Sequence, residues 1–87
     1  MAYRIELRAS AVKELLSLPE KLAGKVQTAI DALAENPRPF GYKKLEGFKN
    51  LFRIRVSDIR IIYSIGDGIK IVEIQSVSNR RETYRKR

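Results

Sequence analysis

Residues 52–56 alternate apolar and basic side chains, and two turn signals downstream mark two further strands, a pattern that predicts antiparallel β-structure over 51–77. Phe52, Ile54 and Val56 fall on one side of a two-residue repeat, and Arg53 and Arg55 on the other. A strand places successive side chains on opposite sheet faces, so one face is apolar and the other basic. Ser57-Asp58 predicts a two-residue turn, and the chain returns from Ile59 to Ile65. Asp67-Gly68 predicts a second tight turn of the type I′ kind, after which Ile69 to Val77 forms the last strand. Three hairpin-linked strands make a β-meander, and its apolar face needs a second layer to cover it.

The upstream residues supply that layer. Tyr3, Ile5 and Leu7 alternate with Arg4, Glu6 and Arg8, which predicts a half-buried N-terminal strand. Ser10 stands where an N-cap would, before the short helical run Ala11 to Leu16. Pro19 interrupts that run and opens the next helix. Leu22, Val26, Ala29, Ile30 and Leu33 then recur on one helical face, with Lys21, Lys25, Asp31 and Glu35 away from it. Asn36-Pro37 is expected to end this helix, because the residue before proline is pushed out of the α region. A loop over 37–50, with Pro37, Pro39, Gly41 and Gly47, contains Lys43-Lys44-Leu45 as a short edge strand. The expected architecture is α+β: an N-terminal strand, a helical hairpin, then an antiparallel β-meander, with the helices packed on one sheet face. At 87 residues this makes a single domain over 1–87, with no second unit.

Composition limits the chemistry. There is no histidine and no cysteine, so the commonest general base, the commonest metal ligand and any thiolate nucleophile are all missing. Neither a metal site nor a cofactor is expected. Any catalysis must run on Tyr, Lys, Arg, Glu, Asp, Ser or the backbone. Hydrophobic residues make up 44% of the chain, which argues for a folded domain rather than disorder. No apolar run approaches the ~20 residues of a membrane span. The charged N-terminus does not read as a signal peptide, so a cytoplasmic location is expected.

The net charge of +8 points to an anionic partner, and it is unevenly spread. Residues 1–42 hold six basic and five acidic groups, whereas residues 43–87 hold twelve basic and five acidic. A two-residue turn at Ser57-Asp58 sets Arg55 opposite Arg60 and Arg53 opposite Ile62. Three arginines then share the open sheet face, two of them directly cross-strand. Like charges so placed are destabilising, which makes sense if an anion occupies the face. Arginine suits the task, since its planar fork grips phosphate and stays charged. The bland alternative is a solvated basic face. A two-residue second turn would bring Gln75 opposite Arg60 and Glu73 opposite Ile62, where Glu73 neutralises or orients an arginine or makes a rim ion pair. Tyr84, in the basic tail, is either a proton-transfer or base-stacking group or a ring packed on the sheet.

The run from Leu51 to Tyr63 resembles the central hairpin of the RelE/ParE toxin superfamily. The tail Asn79-Arg80-Arg81-Glu82-Thr83-Tyr84-Arg85 resembles its closing Arg-Arg-acid-x-Tyr-Arg signature. The N-terminal strand and helical hairpin fit as well. The resemblance implies the toxin of a type II toxin–antitoxin pair, and for RelE-like members a metal-independent endoribonuclease. Such members cut mRNA in the ribosomal A site by attack of the 2′-hydroxyl on the adjacent phosphate, which inhibits translation. Carried over by position, the catalytic set is Arg53, Arg55, Arg60, Arg80 and Tyr84. Lys43, Lys44, Arg81 and Arg85 are the RNA-binding set. The implied partners are the ribosome with its mRNA and a cognate, RelB-like antitoxin. Toxin and antitoxin together would form a hetero-oligomer that binds its own promoter DNA through the antitoxin.

Some features depart from the pattern. Many relatives have histidine or lysine where Asn79 stands, and some have lysine at the positions of Arg53 and Arg55. Arginine effectively cannot act as a base, so that role falls on Tyr84, or catalysis rests on positioning and charge stabilisation. Two alternatives stand beside the nuclease: a ParE-like DNA gyrase inhibitor without nuclease chemistry, and a non-catalytic RNA-binding module.

Overall fold

The structure is a computed structural model that describes residues 2–79. Seven elements follow in order: β1 (Arg4–Leu7), α1 (Ala9–Leu16), α2 (Glu20–Ala32), β2 (Lys43–Lys44), β3 (Phe52–Val56), β4 (Ile59–Gly66) and β5 (Ile71–Asn79). The strands form one sheet in the order β1-β5-β4-β3-β2. The meander β3-β4-β5 is antiparallel, and Lys43–Lys44 extends it as the expected edge strand. β1 runs parallel to β5, so the sheet as a whole is mixed rather than antiparallel throughout.

One sheet face meets the helices. Ala11 of α1 and Val26 and Ile30 of α2 are buried, together with Leu33 just beyond α2, against Ile54, Ile59, Ile61, Tyr63, Ile65, Val72, Ile74 and Val77. In β4 every second residue from Ile59 to Ile65 is buried, and the residues between are half-exposed. Each large apolar side chain so buried contributes ~1.5–3 kcal/mol before the ordering cost is set against it. The two-residue repeat therefore fixes which face the helices cover, and among the described residues no helix covers the arginine face.

Several boundaries differ from the sequence reading. α1 begins at Ala9, not after Ser10, and Arg8 is its N-cap in extended conformation. The Arg8 N–H still donates to the Ile74 carbonyl at 3.0 Å, while its own carbonyl accepts from the Val12 N–H, also at 3.0 Å. The chain passes from sheet to helix at that one residue, so no serine cap is used. α2 ends at Ala32, ahead of Asn36-Pro37. Leu33, Ala34 and Glu35 each donate to the carbonyl three residues back, tightening the last turn, and the Ala34 carbonyl accepts from the Tyr3 N–H at 2.7 Å.

The second hairpin also differs. Gly66 pairs with Ile71, so the turn holds four residues, Asp67 to Lys70, with Lys70 at a positive φ of 60°. A β-bulge adds one residue on β5 between the pairs Ile62–Ser76 and Tyr63–Ile74. Arg60 consequently faces Ser78 rather than Gln75, and Glu73 faces Ser64 rather than Ile62. The first hairpin is as read: Val56 pairs with Ile59 around Ser57-Asp58, with Ser57 at φ 57°.

Candidate functional site

The open face divides along its length. At one end lie Glu6 and Glu73, neighbours in the parallel pairing of β1 and β5. Gln75, at the bulge, links this end together. It accepts from Arg8 Nη1 at 2.6 Å and donates to Glu73 Oε1 at 2.8 Å. Glu73 thus bonds to Gln75, and among the described residues it makes no ion pair with an arginine.

The other end is basic. Arg55 and Arg60 are directly opposite in the β3–β4 pairing, and Arg53 is opposite Ile62. Lys43 pairs with Arg53 across the β2–β3 ladder and so joins the same face. Lys44 pairs instead with Phe52, whose ring packs with Tyr42 and Tyr63, so it falls on the opposite side of the edge strand. Arg55 is exposed, while Arg53 and Arg60 are half-buried. The Arg60 Nε is shut off from solvent and has no hydrogen-bond partner among the described residues. A desolvated donor on a charged group is costly to leave unpaired, on the order of 1–3 kcal/mol. Arg80, Arg81, Tyr84 and Arg85 lie outside the described residues.

Lys43, Arg53 and Arg55, with Phe40, Gly41 and Ile54, line a surface groove of about 360 Å³. Its floor is strand β3 and one wall is the loop that leads into β2. Phe40 of that wall was not singled out from the sequence. Its signal was an aromatic residue between Pro39 and Gly41, outside any apolar repeat.

The wall is tied down at its base. The Tyr63 hydroxyl, buried in the core, donates to the Pro37 carbonyl at 2.7 Å. Burial pushes the Tyr63 phenol up to about 12, so it stays a donor at neutral pH. Arg38 grips Asp67 with both prongs, Nη2 to Oδ2 at 2.9 Å and Nη1 to Oδ1 at 3.3 Å. The Tyr3 hydroxyl donates to the same carboxylate at 2.6 Å, and Lys70 sits 4.9 Å over the Tyr3 ring. The Arg38 hydrogen bonds, then that of Tyr3, hold the Asp67 carboxyl down at about 2. One carboxylate in the β4–β5 turn thus joins the residue that leads into β1, the turn itself and the loop before β2.

The arrangement can hold an extended polyanion. Four cations from three adjacent strands converge on one edge of the open face, and the acidic pair lies at the other. No described helix is long and apolar enough to cross a membrane.

Known proteins agree with this architecture. Residues 5–84 match the family described as ParE toxin of type II toxin-antitoxin system, parDE. The toxin RelE of Mycobacterium tuberculosis (strain ATCC 25618 / H37Rv) is 33% identical over 84 residues, covering 95% of this chain and 87% of that protein. Among solved structures, the archaeal RelE–RelB complex from Pyrococcus horikoshii OT3 superposes with a TM-score of 0.81 at 34% identity, covering 92% of this chain and 97% of that one. The isolated E. coli RelE toxin superposes with a TM-score of 0.79 at 26% identity, covering 98% of this chain and 94% of that one, and a double mutant of that toxin in complex with an antitoxin RelBc peptide gives the same score and identity, covering 99% and 94%. The match spans the helical layer, the mixed sheet and the arginine-bearing hairpin alike, and the chain belongs to the RelE/ParE family of type II toxin–antitoxin toxins.

Proposed function

We propose that this toxin is a ribosome-dependent mRNA endonuclease. The observation that carries the reading is the Arg55–Arg60 cross-strand pair, with an Arg60 Nε that has no hydrogen-bond partner among the described residues, on the same face as Arg53 and Lys43. A like-charge pair and an unpaired buried donor both cost stability, and a phosphate relieves both at once.

In the proposed reaction the 2′-oxygen attacks the adjacent phosphorus. The new O2′–P bond forms as the P–O5′ bond breaks, leaving a 2′,3′-cyclic phosphate and a 5′-hydroxyl. The 2′-hydroxyl proton leaves to a base, and the departing 5′-oxygen takes one up. Arg53, Arg55 and Arg60 spread over the phosphate oxygens and stabilise the charge that develops there, a term that preorganised cations make large. Tyr84 is the proton-transfer group in this scheme, and Arg80 completes the charge clamp. Lys43 holds the RNA backbone at the groove edge. The scheme needs no metal ion.

A cognate antitoxin is proposed to restrain this activity. Relatives of this chain were solved as RelE–RelB complexes. An acidic or amphipathic antitoxin segment would complement the basic end of the face. Covering that end, displacing the tail, or both, would silence the toxin.

The test is to map the 5′ ends of ribosome-bound mRNA after brief expression of the wild-type chain, Arg60→Ala and Arg80→Ala. Cuts confined to the A-site codon, and lost in both variants, are the expected result. Toxicity that persists in Arg60→Ala without cuts, together with inhibited DNA supercoiling, would replace the nuclease with a gyrase poison. Salt-sensitive RNA binding with no cuts by any variant would leave a passive binding module.

A further inference from the structure

We infer that Phe40 is a stacking platform for one unpaired RNA base, placed beside the cations that hold the adjoining phosphates. The inference deepens the nuclease reading and takes from it only the identity of the polymer.

Phe40 is fully exposed, an unusual place for a ring that would be better off in the core. It is not a stray side chain on a loose loop. Residue 37 is pinned through the Tyr63 hydroxyl, residue 38 through the two-pronged Asp67 contact, and Tyr42 packs its ring 5.8 Å from that of Phe52. The Tyr42 N–H also donates to the Pro39 carbonyl at 3.0 Å, closing a turn around Phe40 and Gly41. Gly41 takes a φ of 92°, which a residue with a side chain adopts only under strain. Anchors on both sides therefore hold the ring out at the lip of the groove.

The same groove is lined by Lys43, Arg53 and Arg55. Proteins that hold single strands combine a cationic track for the backbone with aromatic faces for the bases, and this lip has both. A duplex would hide its base faces in its own stack, so the geometry selects an unpaired nucleotide. Stacking reads no hydrogen-bond edge, so the platform serves every base.

The chain has no tryptophan, so Phe40→Trp installs a single indole reporter at the lip. The probe is a short single-stranded RNA, 2′-O-methylated throughout and hence uncleavable, added to the full-length toxin at low salt. Emission of the Phe40→Trp protein is expected to quench with this RNA, and not with its abasic counterpart or with inorganic phosphate. Phe40→Ala should bind the intact RNA roughly tenfold more weakly and the abasic RNA as well as the wild type does. Phe40→Leu, which keeps an apolar side chain without a ring face, should behave like Phe40→Ala. Equal quenching by intact and abasic RNA, or none, would overturn the platform. So would stronger quenching by an acidic peptide, which would make the occupant a protein. Quenching without any A-site cuts would retain the platform and remove the nuclease. Cuts with unaltered affinity in Phe40→Ala would do the reverse.

Discussion

Arg55 and Arg60 face each other directly across the β3–β4 hairpin, one exposed and the other half-buried with its Nε desolvated. No described carboxylate sits between them, since Glu73 is engaged by Gln75 toward the far end of the sheet. The pair works against the fold that carries it.

Replacing one member should therefore stabilise the protein and harm its function. Arg55→Glu turns a repulsive cross-strand pair into an attractive one, worth roughly 0.5–1 kcal/mol in unfolding free energy. Urea unfolding should show a higher midpoint at an unchanged m-value. Under the proposed nuclease reading, the same variant should lose most of its RNA-directed activity, because a carboxylate would then face the phosphate. A variant less stable than the wild type would remove repulsion as the reason to read this pair as functional.

How much of this was legible in the residues divides along physical lines. The period-two repeat of β3 and β4 fixed both faces and the Arg55–Arg60 register, because a two-residue turn permits a single pairing. The second hairpin failed because its turn absorbs Ile69 and Lys70, and a bulge then shifts β5 by one more residue. Asp67-Gly68 favours a tight turn locally, but Asp67 serves a tertiary contact with Arg38 and Tyr3 that no local pattern announces. Ser10 has the residue type of a cap, but the chain enters α1 at Arg8, whose N–H is bound to β5, a tertiary contact with no local signal. The groove wall was invisible for the same reason: Tyr63 reaches Pro37 across 26 positions of chain.

The Asp67 cluster makes a prediction about acid. Its carboxyl is held at about 2, below its ordinary value of 3.8, by Arg38 and Tyr3. In the window between those values the unfolded chain binds the proton and the folded chain does not, so the stability due to this contact is complete above it and falls as pH drops through it. The urea midpoint of the wild type should fall more steeply between pH 4 and 2, about the range these values span, than that of Asp67→Asn. Added salt should narrow the gap, since the pair is exposed. Parallel curves for the two proteins would show that the contact contributes nothing to the folded state.

Glu14 makes a prediction about the sheet edge. β1 covers β5 only from Ile71 to Ile74. Beyond that point the Val77 N–H is satisfied by Glu14 Oε1 of α1 at 2.7 Å. A side chain here stands in for a missing strand and blunts an edge that would otherwise recruit one. Glu14→Leu should lower stability by about 1–2 kcal/mol and expose the Val77 amide to hydrogen exchange. Glu14→Gln keeps an oxygen acceptor and should restore most of both. Wild-type exchange at Val77 in Glu14→Leu would show that the contact protects nothing.

If the chain binds RNA as proposed, Arg60 should announce itself in the salt dependence of that binding. A cation that neutralises one phosphate of a single strand displaces condensed counterions, and its loss shallows the plot of log affinity against log salt by about 0.7. Arg60→Gln should show that change on an uncleavable RNA. Lys21→Gln, on the exposed surface of α2 away from the open sheet face, should leave the slope unaltered. Arg60→Lys keeps the charge but has no Nε to offer a phosphate oxygen from the buried position. It should therefore preserve the slope while losing affinity and cleavage. If Arg60→Lys cleaves as fast as the wild type, charge alone suffices at this site and the desolvated Nε has no part in holding the phosphate.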